Sequence, residues 1–142
     1  MKFDPENPVV KLCAKGIEIE GTGDIDTAKE YYQSAWQLAG TNEERFIVAH
    51  YLARNQPLDE QLKWNQLSLD YALEIDTPEI RAAYPSLYLN LGKSYEEVGD
   101  MYMALENYQL AADNIKYLAD DDYGKMIRSG ITAALERVKD LE

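Results

Sequence analysis

Two stretches of the chain decide its fold: GIEIEGTGDIDTAKEYYQSA at residues 16–35 and GKSYEEVGDMYMALENYQLA at residues 92–111. Nine of their twenty positions are identical at a fixed offset of 76 residues, where unrelated segments share about one. The identical pairs are Gly16/Gly92, Glu20/Glu96, Gly23/Gly99, Asp24/Asp100, Ala28/Ala104, Glu30/Glu106, Tyr32/Tyr108, Gln33/Gln109 and Ala35/Ala111. Internal repetition of this kind indicates a scaffold rather than a catalyst.

The composition predicts one soluble domain that spans residues 1–142. A net charge of −12 disfavours nucleic acids and anionic membranes, because both repel an acidic surface, and it attracts basic partners. Cys13 is the only cysteine, so no intrachain disulfide is expected, which is typical of a reducing compartment. The sequence shows no secretory signal and no apolar run long enough to span a membrane, so a cytoplasmic location is expected.

The spacing of apolar residues predicts an all-α protein. Thr41 and Glu44 form a capping box, and prolines 8 and 78 stand where a first helical turn tolerates them. A proline inside a helix removes a hydrogen bond, so Pro85 should kink or divide the fifth helix. Seven helices are predicted, at about residues 8–20, 25–38, 42–54, 58–75, 78–98, 101–118 and 122–141. No strand alternation occurs.

The unit Gly92-x-x-Tyr95-x-x-x-Gly99-Asp100-x-x-x-Ala104-x-x-x-Tyr108-x-x-Ala111 resembles a tetratricopeptide repeat. The stretch from Gly16 to Ala35 is similar, with Ile19 in place of the tyrosine, and a degenerate unit lies between them. The resemblance implies a right-handed α–α superhelix of about three helix pairs, at residues 8–40, 41–76 and 78–118, with a capping helix at 122–141.

In that family the concave face, lined by the first helix of each pair, binds an extended or helical peptide. The resemblance therefore implies a peptide-binding face formed by Ile17, Glu20, His50, Arg54, Leu89, Asn90, Lys93 and Glu96. The carboxylate clamp of the best-known members is missing, except for Asn90. Arg54 and Lys93 are expected to attract an acidic part of the ligand.

Residues that suggest chemistry have simpler structural explanations. His50 is the only histidine and has no evident partner for acid–base catalysis, and Cys13 is expected to be a small buried hydrophobe. The acidic run at residues 120–122 fits a helix N-terminus better than a metal site. Phosphate-binding and dinucleotide-binding motifs do not occur, so no catalytic residue, cofactor or metal is expected.

The sequence therefore predicts a non-enzymatic scaffold that binds a protein or peptide. Two alternatives stay open: a regulatory or accessory subunit that self-associates through one end of the solenoid, giving a homo-oligomer, and an unrecognised enzyme.

Overall fold

A computed structural model describes residues 4–140 of the chain, and every regular element among them is helical. The helices are α1 Pro8–Glu20, α2 Ile25–Leu38, α3 Asn42–Leu52, α4 Leu58–Ile75, α5 Pro78–Arg81, α6 Tyr84–Val98, α7 Met101–Asp113, a 3₁₀ helix Ile115–Tyr117, and α8 Asp122–Lys139. The prediction of an all-α fold is confirmed.

The helix count differs from the seven predicted. Pro85 divides the fifth predicted helix into two. Helix α5 ends at Arg81, and Pro85 occupies the first turn of the next helix, α6. The sixth predicted helix, 101–118, ends at Asp113 and continues as the short 3₁₀ helix. The last helix was expected to end at Leu141, which lies outside the described residues.

The chain forms two compact units: unit 1 is Met1–Ile75 and unit 2 is Asp76–Glu142. In unit 1, α1 packs along α2, α3 packs along α4, and α3 also contacts α1 and α2. In unit 2, α6 packs along α7, and α8 contacts both of them. Each unit therefore contains a helix pair with a third helix against it. The expected single domain over residues 1–142 stays a prediction.

The repeated Gly-Asp pairs make the same turn in both units. Gly23 and Gly99 have φ values of +92° and +90°, a region that glycine enters without steric cost. The next residue, Asp24 or Asp100, caps the following helix by accepting a hydrogen bond from the backbone N–H three residues later. The sequence repeat therefore corresponds to a repeated helix–turn–helix geometry.

Each unit has its own apolar core. In unit 1 the core joins α1, α2 and α3 through buried residues of the repeat and of α3, namely Val9, Cys13, Ala28, Tyr32, Ala35, Val48 and Leu52. In unit 2 it joins α6, α7 and α8 through Leu89, Ala104, Tyr108, Ala111, Leu118, Ile127, Ile131, Ala134 and Val138. The third helix thus closes the core of each unit.

Candidate functional site

A glycine and a tyrosine lie in close contact in the α1/α2 pair and again in the α6/α7 pair. A Cβ atom added to Gly92 would lie 2.5 Å from two carbons of the Tyr108 ring, and one added to Gly16 would overlap the Tyr32 ring in the same way. Both tyrosine side chains are almost completely buried. The small residue predicted at these positions is therefore required by a ring that lies directly on the helix backbone.

In unit 1 the hydroxyl of Tyr32 takes part in a polar network. Its hydroxyl donates a hydrogen bond of 3.2 Å to Oε1 of Glu20 at the end of α1. The other carboxylate oxygen of Glu20 accepts a short hydrogen bond from Arg54, just after α3, and Asn55 donates to Oε1. Glu20 therefore connects all three helices of the core.

Unit 2 builds an equivalent network from Glu96, Tyr108 and Arg137. The Tyr108 hydroxyl donates to Glu96 Oε1 at 2.7 Å, and Arg137 binds both oxygens of that carboxylate at 2.8 Å. The bonds from Arg137 hold the pKa of Glu96 below its ordinary value of 4.5, and burial raises the pKa of Tyr108. The carboxylate is therefore charged at neutral pH and fixes α8 to α6 and α7.

Four of the predicted site residues lie together in unit 1. Ile17 stands one turn before Glu20 on α1, and His50 stands one turn before Arg54 on α3, so both flank the Glu20–Arg54 bridge. Ile17 is 39% exposed, so part of its apolar side chain is available for contact. We call these four residues, Ile17, Glu20, His50 and Arg54, the α1/α3 face.

The other four predicted residues belong to unit 2 and form no comparable open surface. Leu89 is only 4% exposed, because α8 covers it: the nearest atom to a Cβ added at Gly130 of α8 is a Leu89 methyl, at 3.3 Å. The expectation that Leu89 lines a peptide groove therefore disagrees with its position in the core. Glu96 is held by Arg137, whereas Asn90 is half-buried and Lys93 is exposed.

Arg54 does not offer a free positive charge, although its attraction for an acidic ligand was expected. Its guanidinium is bound to Glu20, which compensates the charge within the protein itself. Lys93 differs, since it takes part in none of the salt bridges found among residues 4–140. The charge of Lys93 nevertheless acts on Glu96, since it helps to lower the pKa of that carboxyl.

The structure places Cys13 in the core of unit 1 and leaves His50 half-buried on α3. Cys13 is buried, and burial raises the pKa of its thiol to about 12, which leaves almost no thiolate at neutral pH. Burial, assisted by the nearby Arg54, lowers the pKa of His50, so the imidazole is neutral. Between residues 4 and 140, no group of three His, Cys, Asp or Glu side chains is arranged to hold a metal ion.

The sequence did not reveal Arg137 as a partner of Glu96. Glu96 and Tyr108 repeat Glu20 and Tyr32 at the same offset, but Arg54 and Arg137 are separated by 83 positions rather than 76. A search for an arginine near the end of the helix that closes each core would have found both, because a partly buried carboxylate is stabilised by a cation nearby.

None of the helices described between residues 4 and 140 is both long and apolar enough to cross a membrane. Comparisons with protein-family models and with characterised proteins give no match to this chain.

Proposed function

We propose that this protein is a non-enzymatic helical-repeat scaffold of the tetratricopeptide type, and that it binds a segment of a partner protein at the α1/α3 face. One observation carries the proposal: the same three-helix frame is built twice, with matching glycine–tyrosine contacts and matching Glu–Tyr–Arg networks. Helix pairs that repeat in this way are the units from which solenoid scaffolds are assembled. A right-handed superhelix of such pairs is part of the proposal.

The chemistry of the α1/α3 face favours a partner segment of mixed character. Ile17 offers exposed apolar area on α1, and the half-buried ring of His50 stands on α3 against the ring of Tyr51. The Glu20–Arg54 bridge next to them is electrically compensated, so the face selects for shape and apolar contact more than for charge. A few residues that become fully buried at the centre of an interface supply most of its binding energy, and Ile17 is the candidate for such a position here.

The second half of α8 gives little support to self-association by stacking of a second copy on it. In unit 1, α4 packs on α3, where Ala49 and Ala53 are buried. When Arg54 is aligned with Arg137, the corresponding residues of α8 are Thr132 and Glu136, which are polar and exposed. Tyr123 and Met126 near the start of α8 are exposed, so self-association through that end of the helix stays the second candidate function.

The test is affinity capture with the full chain and with Ile17→Glu and His50→Glu variants. We expect a protein that the wild type retains and that both variants lose, because a buried charge at an anchor position is strongly unfavourable. Lys125→Glu, an exposed charge change on α8, serves as the control and should retain the same protein. Equal capture by all four proteins would refute a site on the α1/α3 face.

A further inference from the structure

A second surface of unit 1 has the features of a binding pocket. A cavity of about 270 Å³ opens between α1 and α2 and is lined by Leu12, Thr27, Glu30, Tyr31 and Ser34. Four of these residues stand on α2 at positions i, i+3, i+4 and i+7, which places them along one stripe of the helix. That stripe differs from the one that carries the core residues of α2. We call this cavity the α1/α2 pocket.

The internal repeat explains why unit 1 has this cavity. At the positions 76 residues later, Leu12 is replaced by Tyr88, Thr27 by Met103 and Ser34 by Leu110, all larger side chains. Tyr31 is replaced by Asn107, which is buried in unit 2 and whose side-chain amide donates a hydrogen bond to the Met103 carbonyl. The small hydroxyl residues of α2 therefore accompany an open cavity, whereas α7 carries larger side chains at the two corresponding positions.

The size of the pocket suits one side chain rather than a whole metabolite. Pockets for small molecules measure about 300–1,000 Å³ and are mostly enclosed. The α1/α2 pocket is slightly smaller than this range and open to solvent, so a ligand held there must gain most of its affinity from contacts outside the pocket. A side chain that projects from a partner protein meets this condition.

The charge of the pocket selects a cation. Glu30 is exposed and makes no hydrogen bond or salt bridge with any residue in the range 4–140. The lysines on α1 do not neutralise it, because Lys11 is paired with Glu6 and Lys15 with Glu18. The Tyr31 ring and Leu12 add an apolar wall, which suits the aliphatic stem of a long basic residue.

We propose that the α1/α2 pocket binds a lysine or arginine side chain presented by a segment of a partner protein. The charged head pairs with Glu30 while Thr27 and Ser34 accept hydrogen bonds from it, and the stem packs on Leu12 and Tyr31. A second copy of this chain is a poor occupant, because its net charge of −12 opposes association of two acidic surfaces. The pocket is independent of the α1/α3 face.

The sequence of unit 2 supplies the variant for the test. Thr27→Met combined with Ser34→Leu fills the α1/α2 pocket with the residues that unit 2 already carries on the same frame. A displayed library of random peptides is selected for binding to the full wild-type chain and is counter-selected against this double variant. We expect the surviving peptides to be enriched in lysine or arginine next to an aliphatic residue.

The selected peptides are then titrated against single variants by calorimetry. Glu30→Gln should weaken binding about two- to fivefold, as expected for loss of a solvent-exposed ion pair, and high salt should reduce the difference. Glu106→Gln, which changes the equivalent exposed acid of unit 2, should leave binding unchanged. Ser34→Leu alone should abolish binding, so the result does not depend on folding of the double variant. Ile17→Glu should have no effect, which separates this proposal from the α1/α3 face.

Three outcomes would overturn the proposal. The first is that no peptide prefers the wild type over the filled double variant. The second is enrichment of acidic or uncharged peptides, which would remove the role of Glu30. The third is equal weakening by Glu30→Gln and Glu106→Gln, which would indicate attraction to the acidic surface in general.

Discussion

Replacing Gly92 by alanine tests the contact that defines the repeat. The new methyl group would lie 2.5 Å from Cδ1 and Cε1 of Tyr108, far inside van der Waals contact. Tyr108 is fully buried and cannot turn away, so the ring or the helix must shift. Overpacking of this kind costs about 1–3 kcal/mol. If the ring moves, its 2.7 Å hydrogen bond to Glu96 is also lost, at a further cost of about 1.5–3 kcal/mol.

Helix propensity acts in the opposite direction. Alanine is favoured over glycine in a helix by about 1 kcal/mol, which offsets part of the steric cost. When the ring moves and the hydrogen bond is lost, the net expectation for Gly92→Ala is a loss of about 1.5–5 kcal/mol of unfolding free energy. Urea unfolding, followed by circular dichroism, measures the loss from the midpoint and the slope.

Gly130→Ala is the matched control, because its methyl group meets only the flexible end of Leu89 at 3.3 Å. It should be neutral or stabilising by up to about 1 kcal/mol. In a Tyr108→Leu background, the cost of Gly92→Ala should fall by at least about 1 kcal/mol, since the ring that it strikes is gone. Equal effects of Gly92→Ala and Gly130→Ala would refute the conclusion that the Tyr108 ring requires a glycine at position 92.

Three further predictions concern groups described above. Glu96 has a lowered pKa, so the stability that it contributes is present above about pH 4.5 and is lost as the pH falls through its lower folded value. Acid titration of Glu96→Gln should accordingly show a smaller loss of stability than the wild type below this pH. Thr41→Ala removes one half of the capping box that the Glu44 side chain completes, and it should lower the free energy of unfolding in urea by about 0.5–2 kcal/mol. Its control is Thr132→Ala, at an exposed position of α8, which should change stability little. The Cys13 thiol should react with Ellman's reagent only after denaturant is added, and rapid reaction of the native protein would contradict its burial and its pKa of about 12.

The parts of the fold that the sequence predicted are those with local causes. The Gly-Asp turns, the capping box and the proline positions each act within a few residues, and the helices next to them begin or end where expected. Pro85 predicted a break for the same kind of local reason, because a proline is tolerated in the first turn of a helix, and α6 begins at Tyr84.

The features that the sequence did not predict depend on the helix that closes the core of each unit, α3 in unit 1 and α8 in unit 2. The burial of Leu89 follows from the docking of α8, and nothing in α6 alone indicates that contact. The internal offset does contain the information, because Leu89 stands 76 residues after Cys13, which is also buried. The position of Arg137 could not be predicted from this offset, because α3 and α8 are not related by it.

The unlike sequences of α3 and α8 have a consequence for how each unit tolerates sequence change. Both helices close an equivalent pair by placing one arginine on a glutamate, although the two arginines do not follow the 76-residue offset. A helix that closes such a pair is therefore constrained at its arginine and at its buried apolar positions, and not along its whole length. Substitutions are expected to accumulate on this closing helix while the glycine, tyrosine and glutamate of the pair stay fixed.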